Sequence, residues 1–159
     1  MATAHINIGS NLGDSRAILA RAVAGVALLS EGAEADVSDI VASEPWGFSS
    51  PNRFLNVGVN ISTRFGAAEL LERLKAVERS ISDTPHRNPD GSYADRTVDI
   101  DLICLDDTVV NEPGVEIPHP RMHLREFVLL PLQQLWPQWR HPLLGLTPAE
   151  MLVGLKKIR

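Results

Sequence analysis

The stretch "RTVDIDLICL", residues 96–105, holds two aspartates one residue apart inside an otherwise apolar run. An unpaired carboxylate is costly to bury, so two of them on one strand need a reason. Side chains alternate along an extended chain, so Asp99 and Asp101 share a face and lie ~7 Å apart along it, while Val98, Ile100 and Leu102 take the opposite side. Two such carboxylates repel unless cations lie between them. Hard oxygen donors of this kind suit Mg²⁺, which is usually held by one or two carboxylates together with substrate phosphates. The plain alternative is a solvated edge strand. Against it stand the nearby cations: Arg96 lies three residues before Asp99, and "IPHPRMHLREF", residues 117–127, adds His119, Arg121, His123 and Arg125. All are side chains that can contact phosphate oxygens. A metal-type dyad beside phosphate-type cations points to nucleotide chemistry. No G-x-x-x-x-G-K-[ST] loop is present and "IGSNLGD" is not G-x-G-x-x-G, so side chains and metal, rather than a glycine-rich loop, would hold the phosphates.

The elements that must position these groups are legible in the hydrophobic pattern. "HINIGS" alternates and reads as a first strand ending at Gly9. Ile18, Leu19, Ala22, Val23, Val26 and Leu29 recur at helical spacing from Asp14 to Ser30. "DVSDIVAS" is a second strand, followed by a Pro/Gly/Ser loop, "EPWGFSSPNR". In "FLNVGVNIS", residues 54–62, Leu55, Val57, Val59 and Ile61 point one way, and Phe54, Asn56, Gly58 and Asn60 the other. Residues 67–81 form a helix with Leu70, Leu71, Leu74, Val77 and Ile81 on its inner stripe. The polar run "SDTPHRNPDGSYAD", residues 82–95, has the length and composition of a mobile active-site loop. The last third reads as helical, and "TPAE" starts its final helix with Thr147 at the N-cap, Pro148 at N1 and Glu150 at N3. Strands adjacent without an intervening helix favour antiparallel pairing, hence an α+β rather than a doubly wound class.

Composition narrows the function classes. The chain has 159 residues, enough for one domain (1–159) with a sizeable core, and a net charge of −5 that argues against a nucleic-acid-coating protein. Its positive charge is local: His86, Arg87, Arg96, His119, Arg121, His123 and Arg125 fall in one quarter of the sequence. The single cysteine, Cys104, cannot form an internal disulfide and reads as a small buried hydrophobe. There is no signal-peptide pattern and no apolar run near the ~20 residues that span a bilayer, so a cytoplasmic, membrane-free protein is expected, and a monomer is the expectation for its oligomeric state.

Taken in order, "IGSNLGD", "SEPWG…RFLNVGV", "DRTVDIDLICL" and "IPHPRMHLREFVLLPL" resemble the 6-hydroxymethyl-7,8-dihydropterin pyrophosphokinases over residues 6 to about 135. The resemblance implies a ferredoxin-like α+β fold, an antiparallel sheet with helices packed on one face. It implies transfer of the terminal diphosphate of ATP to 6-hydroxymethyl-7,8-dihydropterin, with release of AMP, in folate biosynthesis. By the same resemblance Asp99 and Asp101 hold two Mg²⁺ ions, and Arg96 joins them in catalysis. Arg96, Leu102, His119 and Arg125 bind ATP, with Arg87, or His86 beside it, as the candidate for the family's loop arginine. Phe54 and Phe127 sandwich the pterin, Asn56 bonds its edge, and Ser43 and Trp46 complete the pocket. The chain departs from the family after Glu78, where Ser82 and Asp83 stand in place of a usual glycine and arginine, and at Tyr93, Asp95 and Pro120. Two readings from other classes remain beside this one. A nucleotidyltransferase would release pyrophosphate instead of AMP, and a binding domain of the same shape would take up ATP or pterin without turnover.

Overall fold

The computed structural model describes residues 1–11, 14–43, 54–81 and 98–158. Its central strand is β1 (Ala2–Ser10), which pairs antiparallel on one side with β4 (Phe54–Thr63) and on the other with β5 (Asp99–Leu105). Two short strands, β2 (Asp36–Val37) and β3 (Val41–Ser43), share the outer edge of β4. The segment expected as one strand is thus split in two by the non-strand residues 38–40. With α1 (Ser15–Ala27) after β1 and α2 (Ala67–Ile81) after β4, the order is strand, helix, strands, helix, strand. This is the ferredoxin-like βαββαβ arrangement expected.

Alternation decides which side of the sheet is dry. Ile6, Ile8, Val57, Val59, Ile61, Ile100 and Leu102 point to one face and join Leu19, Ala22 and Val26 of α1 and Leu70 and Leu74 of α2 in a single buried cluster. Helix α2 shows the 3.6-residue stripe that made it readable, with Ala67, Leu70, Leu74 and Ile81 buried. The helices approach closely at Gly25, where an added Cβ would stand 2.7 Å from Val77 Cγ1.

Helices were expected on one face only; they occupy both. Helix α3 (Glu126–Leu135) and helix α4 (Pro148–Ile158) pack together, and α3 lies against β3 and β4. The cause is a second apolar patch that strict alternation does not anticipate. A register irregularity between His5 and Ile6 leaves Ile103 as an extra residue in β5. Such a bulge shifts the alternation, so Ile103 and Cys104 both enter the cluster with Met122, Val128, Leu129 and Leu132, while Leu105 returns to the first. The last third is also less helical than its sequence suggested. It contains a hairpin, β6 (Val110–Glu112) and β7 (Val115–Ile117), joined by Pro113 and Gly114. Gly114 has φ 82°, the left-handed value that a proline–glycine turn requires at its second position. Helix α4 begins as read: Glu150 N–H donates to Thr147 Oγ1 (3.3 Å) and Thr147 N–H to Glu150 Oε1 (3.0 Å), a reciprocal capping box.

Beneath α3 sits a fully buried histidine. His5 Nδ1 lies 2.6 Å from Asn60 Oδ1, an acceptor, which fixes the proton on Nδ1 and leaves Nε2 with no hydrogen-bond partner. Burial lowers its pKa from 6.5 to about 4, against the weaker opposing effect of the Asn60 hydrogen bond. The unfolded chain therefore binds a proton that the folded chain refuses between these two values. Stability on this account is intact above pH 6.5 and falls as pH drops toward 4, by on the order of 3 kcal/mol from this residue. Urea unfolding of wild type and His5→Leu at pH 7.5 and pH 4.5 checks this. The variant should lose less on acidification, whereas parallel losses would place the acid sensitivity elsewhere.

Candidate active site

The face of the sheet opposite α1 and α2 carries the chemistry. The paired registers of β4, β1 and β5 set two transverse rows on it: Asn56, Gly9 and Asp99 in one, and Gly58, Asn7 and Asp101 in the next. Adjacent strands lie about 4.8 Å apart, so each row spans about 10 Å from β4 to β5, the width of a small bicyclic molecule.

The first row is shaped by what Gly9 lacks. A Cβ there would stand 2.8 Å from Asn56 Oδ1, so glycine is what lets the Asn56 carboxamide lie over β1. That carboxamide is buried and oriented. Its Nδ2 donates to Ser43 Oγ (2.9 Å) and lies 3.4 Å from the Val41 carbonyl, which can only accept. Oδ1 is therefore the acceptor offered over β1. Phe54 is half-buried at the start of β4 and pairs directly with Ser43. Ser43, Phe54 and Asn56 are thus brought together by the β3–β4 ladder.

Asp99 and Asp101 are both half-buried on the same face, one at each row's β5 end. Between them, on the opposite edge of the strand, Ile100 N–H donates to Glu78 Oε2 (2.9 Å) and ties the end of α2 to β5. Glu78 was not singled out from sequence, because nothing distinguishes it from the other acids of an amphipathic helix. Among the described residues no group of three or more histidines, cysteines, aspartates or glutamates converges to hold a metal unaided. The donor set fits a hard cation completed by substrate oxygens: two carboxylates on one strand face, with asparagine and glycine rather than further acids as their β1 neighbours.

The second row leads to α3. Asn7, buried beside Asp101, donates from Nδ2 to the Phe127 carbonyl (3.1 Å). Phe127 is half-buried in the first turn of α3, with the Arg125 guanidinium 5.7 Å from its ring centre. Arg125 Nε is buried with no hydrogen-bond partner, a charged donor fit to receive an anion. His119 reaches β5 through its backbone, its N–H donating to the Ile103 carbonyl (2.8 Å). The sequence reading grouped His119 with the phosphate-binding cations, but burial, then Arg125, then Arg121 lower its pKa to about 4. Its Nδ1 accepts from Arg121 N–H (3.2 Å), so at neutral pH it is an uncharged ring with its proton on Nε2.

Leu102 requires a correction. Its side chain is buried in the cluster with α1 and α2, on the face away from the aspartates, and cannot line a pocket on their side. Like that of Ile100, two residues earlier, its backbone points to the outer edge of β5, the only route by which this position meets a ligand. Trp46, Arg87 and Arg96 lie outside the described residues. Sequence reasoning passed over Asn7, Gly9 and Asn11. Asn11, just past β1, is fully buried with both carboxamide atoms lacking partners, a cost usually tolerated at functional sites. An asparagine two residues beyond Gly9 was the only available signal.

Comparison with known proteins identifies the family. Residues 5–137 match the family described as 7,8-dihydro-6-hydroxymethylpterin-pyrophosphokinase (HPPK). A protein of Porphyromonas gingivalis named 2-amino-4-hydroxy-6-hydroxymethyldihydropteridine pyrophosphokinase is 36% identical over 143 residues, covering 89% of this chain and 95% of that protein. Proteins of the same name from Bacillus subtilis (33% identical, 85% of this chain and 78% of that one) and Aquifex aeolicus (31%, 90% and 86%) are also similar. Among solved structures, an HPPK-DHPS crystallised in complex with substrates superposes with a TM-score of 0.75 at 13% identity, a likeness of fold. It covers 99% of this chain but 44% of that one, so this chain spans less than half of the solved protein. With the match running from β1 through α3, across both rows of the site, the chain belongs to the HPPK family, enzymes that act as diphosphotransferases in folate biosynthesis.

Proposed function

We propose that this enzyme moves the β,γ-diphosphate of ATP to the hydroxymethyl oxygen of 6-hydroxymethyl-7,8-dihydropterin. The observation that carries the reading is the first row, where an oriented asparagine acceptor and a carboxylate share one face of the sheet about 10 Å apart across Gly9. A flat heterocycle needs apolar rings over its faces and polar groups at its rim. Phe54 and Phe127 supply the rings, and Asn56 Oδ1, its amide group already engaged by Ser43, accepts from an N–H on the pterin edge. Trp46 is the further residue that the family resemblance assigns to the pterin.

The hydroxymethyl oxygen attacks the β-phosphorus as the bond to the α-phosphoryl oxygen breaks. The hydroxyl proton passes to solvent, AMP leaves with the bridging oxygen, and the pterin diphosphate forms. Two Mg²⁺ ions bound by Asp99 and Asp101 would neutralise charge on the phosphates and lower the pKa of the hydroxyl. Arg125 donates to phosphate oxygens through its otherwise unpartnered Nε, and Arg87 and Arg96 add positive charge. His119 serves as a neutral Nε2–H donor, consistent with its depressed pKa. Leu102 meets the nucleotide through its backbone at the β5 edge. Holding the two substrates in line supplies much of the rate.

Incubation with ATP, Mg²⁺ and the pterin should yield AMP and a diphosphorylated pterin; pyrophosphate in place of AMP would mean nucleotidyl transfer, and no product a binding domain. Asp99→Asn and Asp101→Asn should each lower kcat at least about 100-fold, the range for losing charge stabilisation in a transition state, with little change in unfolding midpoint. Near wild-type turnover in either variant contradicts the metal role. Phe54→Ala should weaken pterin binding at least about tenfold and leave ATP binding nearly unchanged. Equal weakening of both ligands would remove Phe54 from the pterin pocket.

A further inference from the structure

Helix α3 has a gap in its own hydrogen bonding. The Phe127 carbonyl should accept from the N–H four residues on, but residue 131 is proline, which has none. The ladder is intact just before this point, where Leu129 N–H donates to the Arg125 carbonyl (3.1 Å). The missing donor comes from the sheet: Asn7 Nδ2, on the central strand, reaches the Phe127 carbonyl at 3.1 Å. Asn7 is only 4% exposed and has Gly58 and Asp101 as its cross-strand partners.

Pro131 also decides how closely the helix lies. A Cβ added at Gly58 would stand 2.6 Å from Pro131 Cβ and 2.8 Å from His5 Cε1, so only glycine there lets the proline settle onto β4. One proline thus removes the helical partner of the Phe127 carbonyl and seats the helix where a strand asparagine replaces it. The same asparagine neighbours Asp101. The bond therefore fixes the helix turn bearing the Phe127 ring relative to the strand bearing the carboxylates.

We propose that Asn7 is a positioning residue for the pterin substrate, setting the Phe127 ring against the Asp99/Asp101 strand through the carbonyl that Pro131 leaves open. This inference rests on the pterin reading of the site given above. Arg125 is held separately, by its N–H to the Met122 carbonyl, so the effect falls on the pterin more than on ATP.

A double-mutant cycle tests it. Pro131→Ala restores an N–H at position 131 while keeping the Cβ that rests on Gly58, so the Phe127 carbonyl regains a helical partner and Asn7 becomes dispensable. Binding of 6-hydroxymethyl-7,8-dihydropterin and of a non-hydrolysable ATP analogue with Mg²⁺ would be measured at 25 °C on the whole chain, with folding checked by circular dichroism. Asn7→Leu in the wild-type background should raise the pterin Kd about 3- to 10-fold and the ATP-analogue Kd less than about twofold. In the Pro131→Ala background the same change should raise the pterin Kd less than about twofold. If Asn7→Leu does not fold in the wild-type background, Asn7→Ala is put through the same comparison. Unaltered pterin affinity in a folded Asn7 variant, or equal weakening in both backgrounds, overturns the proposal. Should the wild-type protein itself not bind the pterin, the proposed substrate is wrong, and the cycle read in unfolding midpoints still shows whether Asn7 serves the carbonyl.

Discussion

The register of three strands is the constraint on which the rest of this molecule depends. Because side chains alternate and β4, β1 and β5 pair without a slip from Asn56 to Gly58 and from Asp99 to Asp101, their polar residues fall in rows on one face and their apolar residues on the other. A one-residue slip of β5 would send both aspartates into the cluster beneath α1 and α2 and Ile100 onto the opposite face. Burying Ile6, Ile8, Val57, Val59, Ile61, Ile100 and Leu102 under two helices prevents that slip. The apolar core and the geometry of the site are thus two faces of the same pairing.

The polar face is covered by α3 and α4 at one end and carries the candidate site at the other. At the covered end Ile103 and Cys104, displaced by the bulge, meet α3 and α4. His5 and Asn60 are sealed beneath as a neutral pair, in keeping with a depressed histidine pKa. At the other end lie Asn56, Gly9, Asp99 and Asp101, with Phe127 in the first turn of α3 and Arg125 just before it. Glycine matters at two points for the same reason: Gly9 makes room for a side chain from the next strand, and Gly58 for a helix.

Much of this was legible in the sequence, and the exceptions have physical causes. Helix 67–81 and strand 54–62 announced themselves because burial on one side imposes a period, and the structure gives Ala67–Ile81 and Phe54–Thr63. The Asp99/Asp101 pair stood out because charge inside an apolar run breaks that period. The hairpin at 110–117 was missed because its strands are three residues long, too short for a period, although Pro113-Gly114 marks the turn. The bulge at Ile103 leaves the residue types of β5 unchanged and altered only their facing, so the helices on the second side went unforeseen. Leu102 matches a family position that lines the nucleotide site, whereas alternation directs its side chain to the core. Asn7 left no trace beyond a proline within a helix, since its partner is a main-chain carbonyl 120 positions away.

The central claim is that the β5 carboxylates and the substrate phosphates hold divalent cations between them. Crystals grown with Mn²⁺, a non-hydrolysable ATP analogue and the pterin, measured for manganese anomalous scattering, address it directly. The account predicts anomalous peaks within about 2.3 Å of carboxylate oxygens of both Asp99 and Asp101 and of the bound phosphates. Manganese bound to the phosphates alone, with both aspartates turned away from it, would contradict it.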